Sequence, residues 1–117
     1  MSIRLFDHDQ NIQAVAAGSV IFSAGEPGDV MYAVVDGEVD LEIKGQLVET
    51  VGRGGVFGEM ALIEDKPRLA TARVRTDARV VAIDRRRFEF LVQQSPYFAL
   101  QLMGIIVGRL RRMDERL

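Results

Sequence analysis

The pattern of apolar and polar positions changes once along the chain, near residue 84. Between residues 12 and 83, apolar runs of strand length alternate with turn signals, a spacing typical of an antiparallel sandwich or barrel. The clearest run is Val39–Lys44, in which three apolar side chains alternate with three charged ones. Alternation of this kind buries one face of a strand and leaves the other in solvent. The region is predicted to hold about eight strands.

Three dipeptides mark predicted turns between these runs. Asp36-Gly37 suits the positive φ angles of a type I′ turn, so Met31–Val35 and Val39–Lys44 are predicted to form a hairpin. Further turns are predicted at Lys44-Gly45 and at Thr76-Asp77.

From residue 84 onward the apolar spacing becomes helical. Asp84 is a suitable N-cap for a helix that continues to about Gln94, and Ser95-Pro96 ends this helix and begins another. One stripe of the last helix is expected to face the barrel: Phe98, Leu102 and Ile105.

A second, heptad-like stripe follows the last helix beside the first one. Its members are Ala99, Met103, Ile106, Leu110, Met113 and Leu117. Two interpretations stay open at this point: a wide apolar face packed on its own domain, or the seam of a homodimer.

The chain is therefore predicted to be mainly β, an antiparallel β jelly roll with a C-terminal helical subdomain. Residues 1–117 form one unit, in which 1–11 lead into a jelly roll at 12–83 and 84–117 are helical. The 117 residues are enough for one core.

Composition excludes several classes of chemistry. There is no cysteine, and the one histidine, His8, stands near the N-terminus between two aspartates, where we expect it to be exposed. Thiolate sites, histidine metal centres and Ser-His-Asp triads are therefore improbable, and we expect neither a metal nor an enzyme. No run approaches the ~20 apolar residues of a membrane span, and no secretory signal is visible, so we expect a cytoplasmic protein.

The net charge of −2 hides an asymmetry between the two halves of the chain. Residues 1–65 carry three basic and twelve acidic side chains, whereas residues 66–117 carry twelve basic and five acidic ones. In a compact domain such halves neutralise each other more often than they recruit nucleic acid.

The glycine-rich stretch Gly52–Leu62 carries the candidate chemistry. It matches neither a P-loop nor a dinucleotide fingerprint, but Gly58 opens a short helix-compatible segment whose first amides could meet an anion. Glu59 could accept hydrogen bonds from a sugar hydroxyl, and the planar fork of Arg68 suits a phosphodiester. Taken separately, the same pieces could be a tight turn and an exposed arginine.

Together these pieces resemble the phosphate-binding cassette of the cyclic nucleotide-binding domain family, over residues 54–72. The resemblance lies in Phe57-Gly58-Glu59-Met60-Ala61-Leu62 and, after a short spacer, Pro67-Arg68-Leu69-Ala70-Thr71-Ala72. The upstream segment Gly25-Glu26-Pro27-Gly28-Asp29 also resembles the family, and we interpret its glycine turns as structural.

The resemblance implies a jelly roll that holds a 3′,5′-cyclic nucleotide without catalysis. It places the phosphate on Gly58–Leu62 and Arg68, and the ribose on Glu59. Because Leu69 offers no hydroxyl to guanine, cAMP is favoured over cGMP. The predicted ligand contacts are Phe57, Gly58, Glu59, Met60, Ala61, Arg68, Leu69, Ala70, Thr71 and, closing over the base, Arg109.

The last helix is expected to respond to the ligand. No residues are left for a DNA-binding unit, so the effector is expected in another chain or in a missing segment. The alternative is a dimerisation or interaction module that keeps the barrel but no longer binds nucleotide.

Overall fold

The computed structural model describes residues 3–115. Within them, six strands, two long helices and one short helix follow each other along the chain. The strands are β1 (Ile12–Val15), β2 (Val20–Phe22), β3 (Val30–Ile43), β4 (Gln46–Val51), β5 (Val56–Phe57) and β6 (Thr71–Asp84). The helices are α1 (Met60–Glu64), between β5 and β6, and α2 (Arg85–Gln94) and α3 (Pro96–Glu115), which follow β6.

The two 14-residue strands β3 and β6 form the centre of the sheet, and every pairing is antiparallel. The order is β1-β6-β3-β4, with β2 also paired to β6 and β5 also paired to β3. The predicted jelly roll with C-terminal helices is confirmed. The strand number is lower than expected because β3 and β6 are each continuous where the sequence predicts two strands and a turn.

The hairpin predicted at Asp36-Gly37 is wrong. Residues 36 and 37 lie inside β3, where its register against β6 shifts. Gly37 has a φ of +85°, and a Cβ at this position would lie 2.4 Å from the carbonyl oxygen of Asp77. The glycine therefore serves a bulge at which the paired strands bend without separating.

The turn predicted at Thr76-Asp77 is also wrong, for the matching reason on β6. The hydroxyl of Thr76 accepts a hydrogen bond from the backbone N–H of Glu38, 3.0 Å away. The carboxylate of Asp77 accepts one from the N–H of Ala17 at 2.9 Å. These side chains satisfy backbone donors at the irregular part of the sheet, which explains turn-type residues inside a strand.

The other local signals behave as predicted. Lys44 and Gly45 both have positive φ and join β3 to β4, as a type I′ turn requires. Asp84 caps α2 by accepting a hydrogen bond from the N–H of Arg87 at 2.8 Å. Ser95 accepts one from the N–H of Phe98 at the start of α3.

Two apolar clusters fill the fold on opposite sides of β3. Val34, Val39 and Leu41 point into the barrel, together with Phe22 and Phe57. The second cluster joins the other face of the sheet to the helices, and its members include Met31, Ala33, Leu62, Phe98 and Leu102. Ile105 packs against it, so the predicted barrel-facing stripe of α3 is confirmed.

The predicted heptad stripe of α3 does not form one surface. Met103, Leu110 and Met113 are exposed, and Met113 also borders the cavity described below. Ala99 is half-buried, Ile106 packs on the core, and Leu117 lies outside the described residues. The exposed apolar side chains of α3 instead include a stripe spaced by three, four and three residues: Leu100, Met103, Val107 and Leu110.

The N-terminal lead is anchored to the helices. Ile3 and Phe6 are buried, and the ring of Phe6 meets that of Phe98 edge to face at 6.3 Å. Asp9 forms an ion pair with Arg87 of α2. His8 is exposed, as predicted.

Among residues 3–115, no single helix has both the length and the apolar composition to cross a membrane. The helices α2 and α3 have that length and composition only when they are taken together, and a bend of 113° separates them.

The Asp9–Arg87 pair should make stability depend on acid pH. The hydrogen bond from Arg87 holds the pKa of Asp9 below its ordinary value of 3.8. The pair therefore stabilises the fold above about pH 4 and loses its effect as the pH falls through the lower, folded-state pKa. We expect Asp9→Asn to lower the free energy of unfolding by about 1–2 kcal/mol at pH 7.

Urea unfolding at a series of pH values would measure this difference, which should shrink below about pH 4. Asp7→Asn is the matched control, because the carboxylate of Asp7 pairs with the exposed Arg4 and Arg53, each at 3.6 Å. A constant difference from pH 7 down to pH 2 would contradict the assignment.

Candidate nucleotide site

A cavity of about 340 Å³ opens between the barrel, α1 and α3, a size within the usual range for small-molecule sites. Eight of the ten predicted ligand contacts line it: Gly58, Glu59, Met60, Ala61, Arg68, Leu69, Ala70 and Arg109. The structure thus brings the glycine turn, the arginine loop and the last helix to one place.

Phe57 and Thr71 are not part of the cavity wall. Phe57 is fully buried and stacks on Tyr32 with ring centroids 5.3 Å apart. The hydroxyl of Thr71 accepts a hydrogen bond from the N–H of Ala24 at 3.0 Å. Both residues support the surroundings of the cavity, because Phe57 also packs against the cavity-lining Phe22 and Thr71 holds the loop between β2 and β3.

Arg68 is the most unusual side chain of the cavity, since it is a cation of which only 8% is exposed. Nη1 donates to the carbonyl of Gly58 at 2.9 Å, and Nη2 donates to the carbonyl of Val30 at 2.6 Å. The guanidinium carbon lies 4.0 Å from the centre of the Phe22 ring, a cation–π contact. Burial lowers the pKa of the guanidinium from its ordinary value.

The Nε of Arg68 is buried and has no hydrogen-bond partner in the structure. It is the one buried side-chain nitrogen or oxygen in this condition among residues 3–115. A buried donor without an acceptor is costly, and native proteins rarely leave one. The local chemistry fits an additional acceptor, such as an anionic oxygen, at this side chain.

Glu59 is the second buried charge of the cavity, with 2% exposed. It precedes α1 directly, and its carboxylate pairs with Nη1 of Arg109 from α3. Arg109 also donates to Glu49 of β4 and, at 2.7 Å, to the carbonyl of Val56 in β5. Arg109 therefore ties α3 to three separate points of the barrel side.

That Arg109 closes over the base stays a prediction. Its three guanidinium nitrogens all donate to protein acceptors, which hold it beside Glu59. Met113, one turn later in α3, lines the same cavity. From its heptad spacing Met113 was predicted to pack on its own domain or in a dimer seam, because that spacing gives no sign of the cavity.

The rest of the cavity wall is mostly apolar and was not assigned to the site from the sequence. Leu41 and Ile43 of β3 and Val48 of β4 contribute to it. The alternation of Val39–Lys44 did mark Leu41 and Ile43 as inward-facing. That they border a cavity depends on strands far apart in the sequence, so no local signal could have shown it.

The comparison with protein families finds the family that the sequence resembles. Residues 12–95 match the model of the cyclic nucleotide-binding domain. The chain belongs to this family. The match covers the whole barrel and α2, and it includes the cassette predicted from the sequence.

One curated relative is described as a cAMP-activated regulator. The "CRP-like cAMP-activated global transcriptional regulator" of Mycobacterium tuberculosis is 30% identical over 105 residues, which are 86% of this chain and 47% of the relative. The chain thus spans about half the length of that relative.

Two solved structures share the fold. The catabolite activator protein of Thermus thermophilus is 30% identical, with a TM-score of 0.77 over 91% of this chain and 52% of that one. The PfPKA-R fragment 141–441 with bound cAMP is 28% identical, with a TM-score of 0.76 over 90% of this chain and 36% of that one.

Proposed function

We propose that this domain is a non-catalytic sensor that binds cAMP in the cavity between the barrel, α1 and α3. The observation that carries the proposal is the unpartnered, buried Nε of Arg68. A phosphodiester oxygen is an acceptor of the right charge, and bonds from arginine to phosphate are strong because both partners are ionised. Relatives described as cAMP-activated or cAMP-bound support the same ligand.

Glu59 is the proposed partner of the ribose 2′-hydroxyl. A carboxylate has two oxygens and about four acceptor positions, so its bond to Arg109 leaves capacity for a hydroxyl donor. Arg109 also compensates the negative charge of Glu59, which would otherwise repel a nearby phosphate. Phosphate and ribose thus have one buried partner of suitable chemistry each.

The base is proposed to lie against the apolar part of the cavity. This part is lined by Leu69, Val48 and Met113. The two aliphatic side chains cannot form hydrogen bonds with a purine, and the methionine sulfur is only a weak acceptor. Guanine carries more polar groups than adenine and loses more on entering such an environment. We therefore expect a preference for cAMP, while the affinity for cGMP is lower by a few-fold to about tenfold.

Removal of the Arg68 guanidinium should be the most damaging single change to binding. Loss of one partner from a buried charge pair costs on the order of 2–5 kcal/mol, so Arg68→Ala should weaken cAMP binding roughly 30-fold to several thousandfold. Arg68→Lys should restore little, because an ammonium cannot reproduce the fork. Isothermal calorimetry with cAMP, and with cGMP in parallel, measures both effects.

The matched control is Arg75→Ala, which removes a β6 arginine that pairs with Asp40 and does not line the cavity. Equal affinities of wild type and Arg68→Ala would contradict the proposed site. No heat from wild type with either nucleotide would instead favour the alternative, an interaction module without ligand.

We further propose that α3 responds to the ligand. Two arginines connect the helices to the elements around the site: Arg109 pairs with Glu59, and Arg85 of α2 donates to the carbonyl of Leu62 in α1 at 2.8 Å. A ligand shifts an equilibrium only by binding one state more tightly. A nucleotide that contacts Glu59 together with Met113 gains both contacts only while α3 is docked.

Hydrogen exchange on the free and cAMP-saturated protein tests this response. Added protection is expected in 96–113 as well as in 54–72, because docking of α3 is favoured by the ligand. The start of β4, near Gln46, is the internal reference. Its protection should change less than that of α3, although Glu49 of the same strand contacts Arg109. Protection confined to 54–72 would contradict the response.

We also propose that two copies associate through the exposed stripe of α3. Leu100, Met103, Val107 and Leu110 recur at heptad spacing on a helix whose opposite side is buried. An apolar stripe of this length in water favours a second apolar surface. Because the stripe is formed by one helix, a symmetric pair of α3 helices would cover it on both copies.

Light scattering measures this association. Wild type should have the mass of a dimer, and Met103→Glu combined with Leu110→Glu should have that of a monomer, since charges in the seam remain unpaired. Leu47→Glu, at an exposed apolar position of β4, is the control and should stay dimeric. A monomeric wild type would contradict the seam.

The output of such a sensor is proposed to lie outside these 117 residues. The Mycobacterium relative is about twice as long and is described as a transcriptional regulator. An effector in a partner chain or in a longer form of this protein would receive the movement of α3. A cytoplasmic location agrees with this role and remains a prediction.

A further inference from the structure

Gly28 lies in the loop between β2 and β3, within a segment whose glycine turns were predicted to be structural. Its φ is outside the left-handed region, unlike that of Gly25, which is +90°. A positive φ is therefore not what requires a glycine at residue 28, so the cause lies in its surroundings.

That cause is the guanidinium of Arg68. A Cβ on Gly28 would lie 2.2 Å from Nε, 2.4 Å from Cζ and 2.7 Å from Nη2 of Arg68. These separations are far inside van der Waals contact, at which carbon atoms stay about 3.5–4.0 Å apart. A methyl group at residue 28 and the present guanidinium position exclude each other.

The main chain gives the pair little room to separate. The N–H of Arg68 donates to the carbonyl of Glu26, and the N–H of Gly25 donates to the carbonyl of Arg68, each at 2.8 Å. The loop that carries Gly28 is thus bonded twice, through Gly25 and Glu26, to the residue whose side chain it contacts. An added methyl group must be accommodated by the guanidinium, which would leave the carbonyls of Gly58 and Val30.

We propose that Gly28 is a positioning residue of the nucleotide site: the absence of a side chain there seats the Arg68 guanidinium for the phosphate. This inference rests on the proposed function. A purely structural glycine would affect folding and ligand binding together, whereas a positioning glycine affects mainly ligand binding. Because the end of a flexible side chain moves more easily than backbone, Gly28→Ala should harm ligand binding much more than folding.

The test compares cAMP affinity and thermal stability of Gly28→Ala with those of Gly52→Ala. A Cβ on Gly52 would meet no atom within 4 Å, and its φ is also outside the left-handed region. We expect Gly28→Ala to weaken cAMP binding roughly tenfold to a hundredfold, because a charged hydrogen bond is misplaced. Gly52→Ala should bind like wild type, and both variants should melt within a few degrees of it.

A double-mutant cycle on the ligand-free protein keeps the test decisive if Gly28→Ala is less stable than expected. Any loss of stability should disappear when Gly28→Ala is introduced into Arg68→Ala, since the clashing group is then absent. The same loss in both backgrounds would overturn the inference.

Two binding outcomes distinguish this inference from the proposed function. Unchanged cAMP affinity in Gly28→Ala, with binding by wild type intact, would overturn the role of Gly28 alone. Absence of binding in wild type and Gly52→Ala alike would overturn the proposed function, and the positioning role with it.

Discussion

The burial of one cation, Arg68, organises the candidate site. Its guanidinium needs acceptors because a desolvated charge without partners is costly. Two are backbone carbonyls, of Gly58 beside α1 and of Val30 at the start of β3. The loop before β3 and the turn before α1 are thereby fixed relative to each other, while Nε stays without a protein acceptor. The fold provides most of the solvation of this cation, and in the proposed function the ligand provides the remainder.

The second buried charge connects the site to the rest of the molecule. Glu59 is compensated from α3 by Arg109, which also binds β4 and β5. This arrangement makes the docking of α3 and the electrostatics of the proposed ribose contact interdependent, which is what the proposed response of α3 needs.

Local sequence patterns predicted much of the fold and of the candidate site, and the predictions that were wrong have a common cause. The alternation around Val39 and the cap at Asp84 depend on neighbours in sequence, and both were predicted correctly. Asp36-Gly37 failed because its positive φ serves a bulge, which only the long-range pairing of β3 with β6 reveals. Gly28 was undervalued for the same reason, since the atoms that exclude its side chain belong to Arg68, forty residues later.

The most direct test of this account is the Arg68 Nε–H signal in nitrogen-15 NMR spectra, assigned by its loss in Arg68→Lys. On saturation with cAMP the account predicts that this resonance shifts strongly and exchanges more slowly with water, because a phosphate oxygen becomes its acceptor. The exposed Arg73 provides a reference signal that should stay in place. An Arg68 signal unchanged by saturating cAMP would contradict the claim that the buried guanidinium is completed by the phosphate.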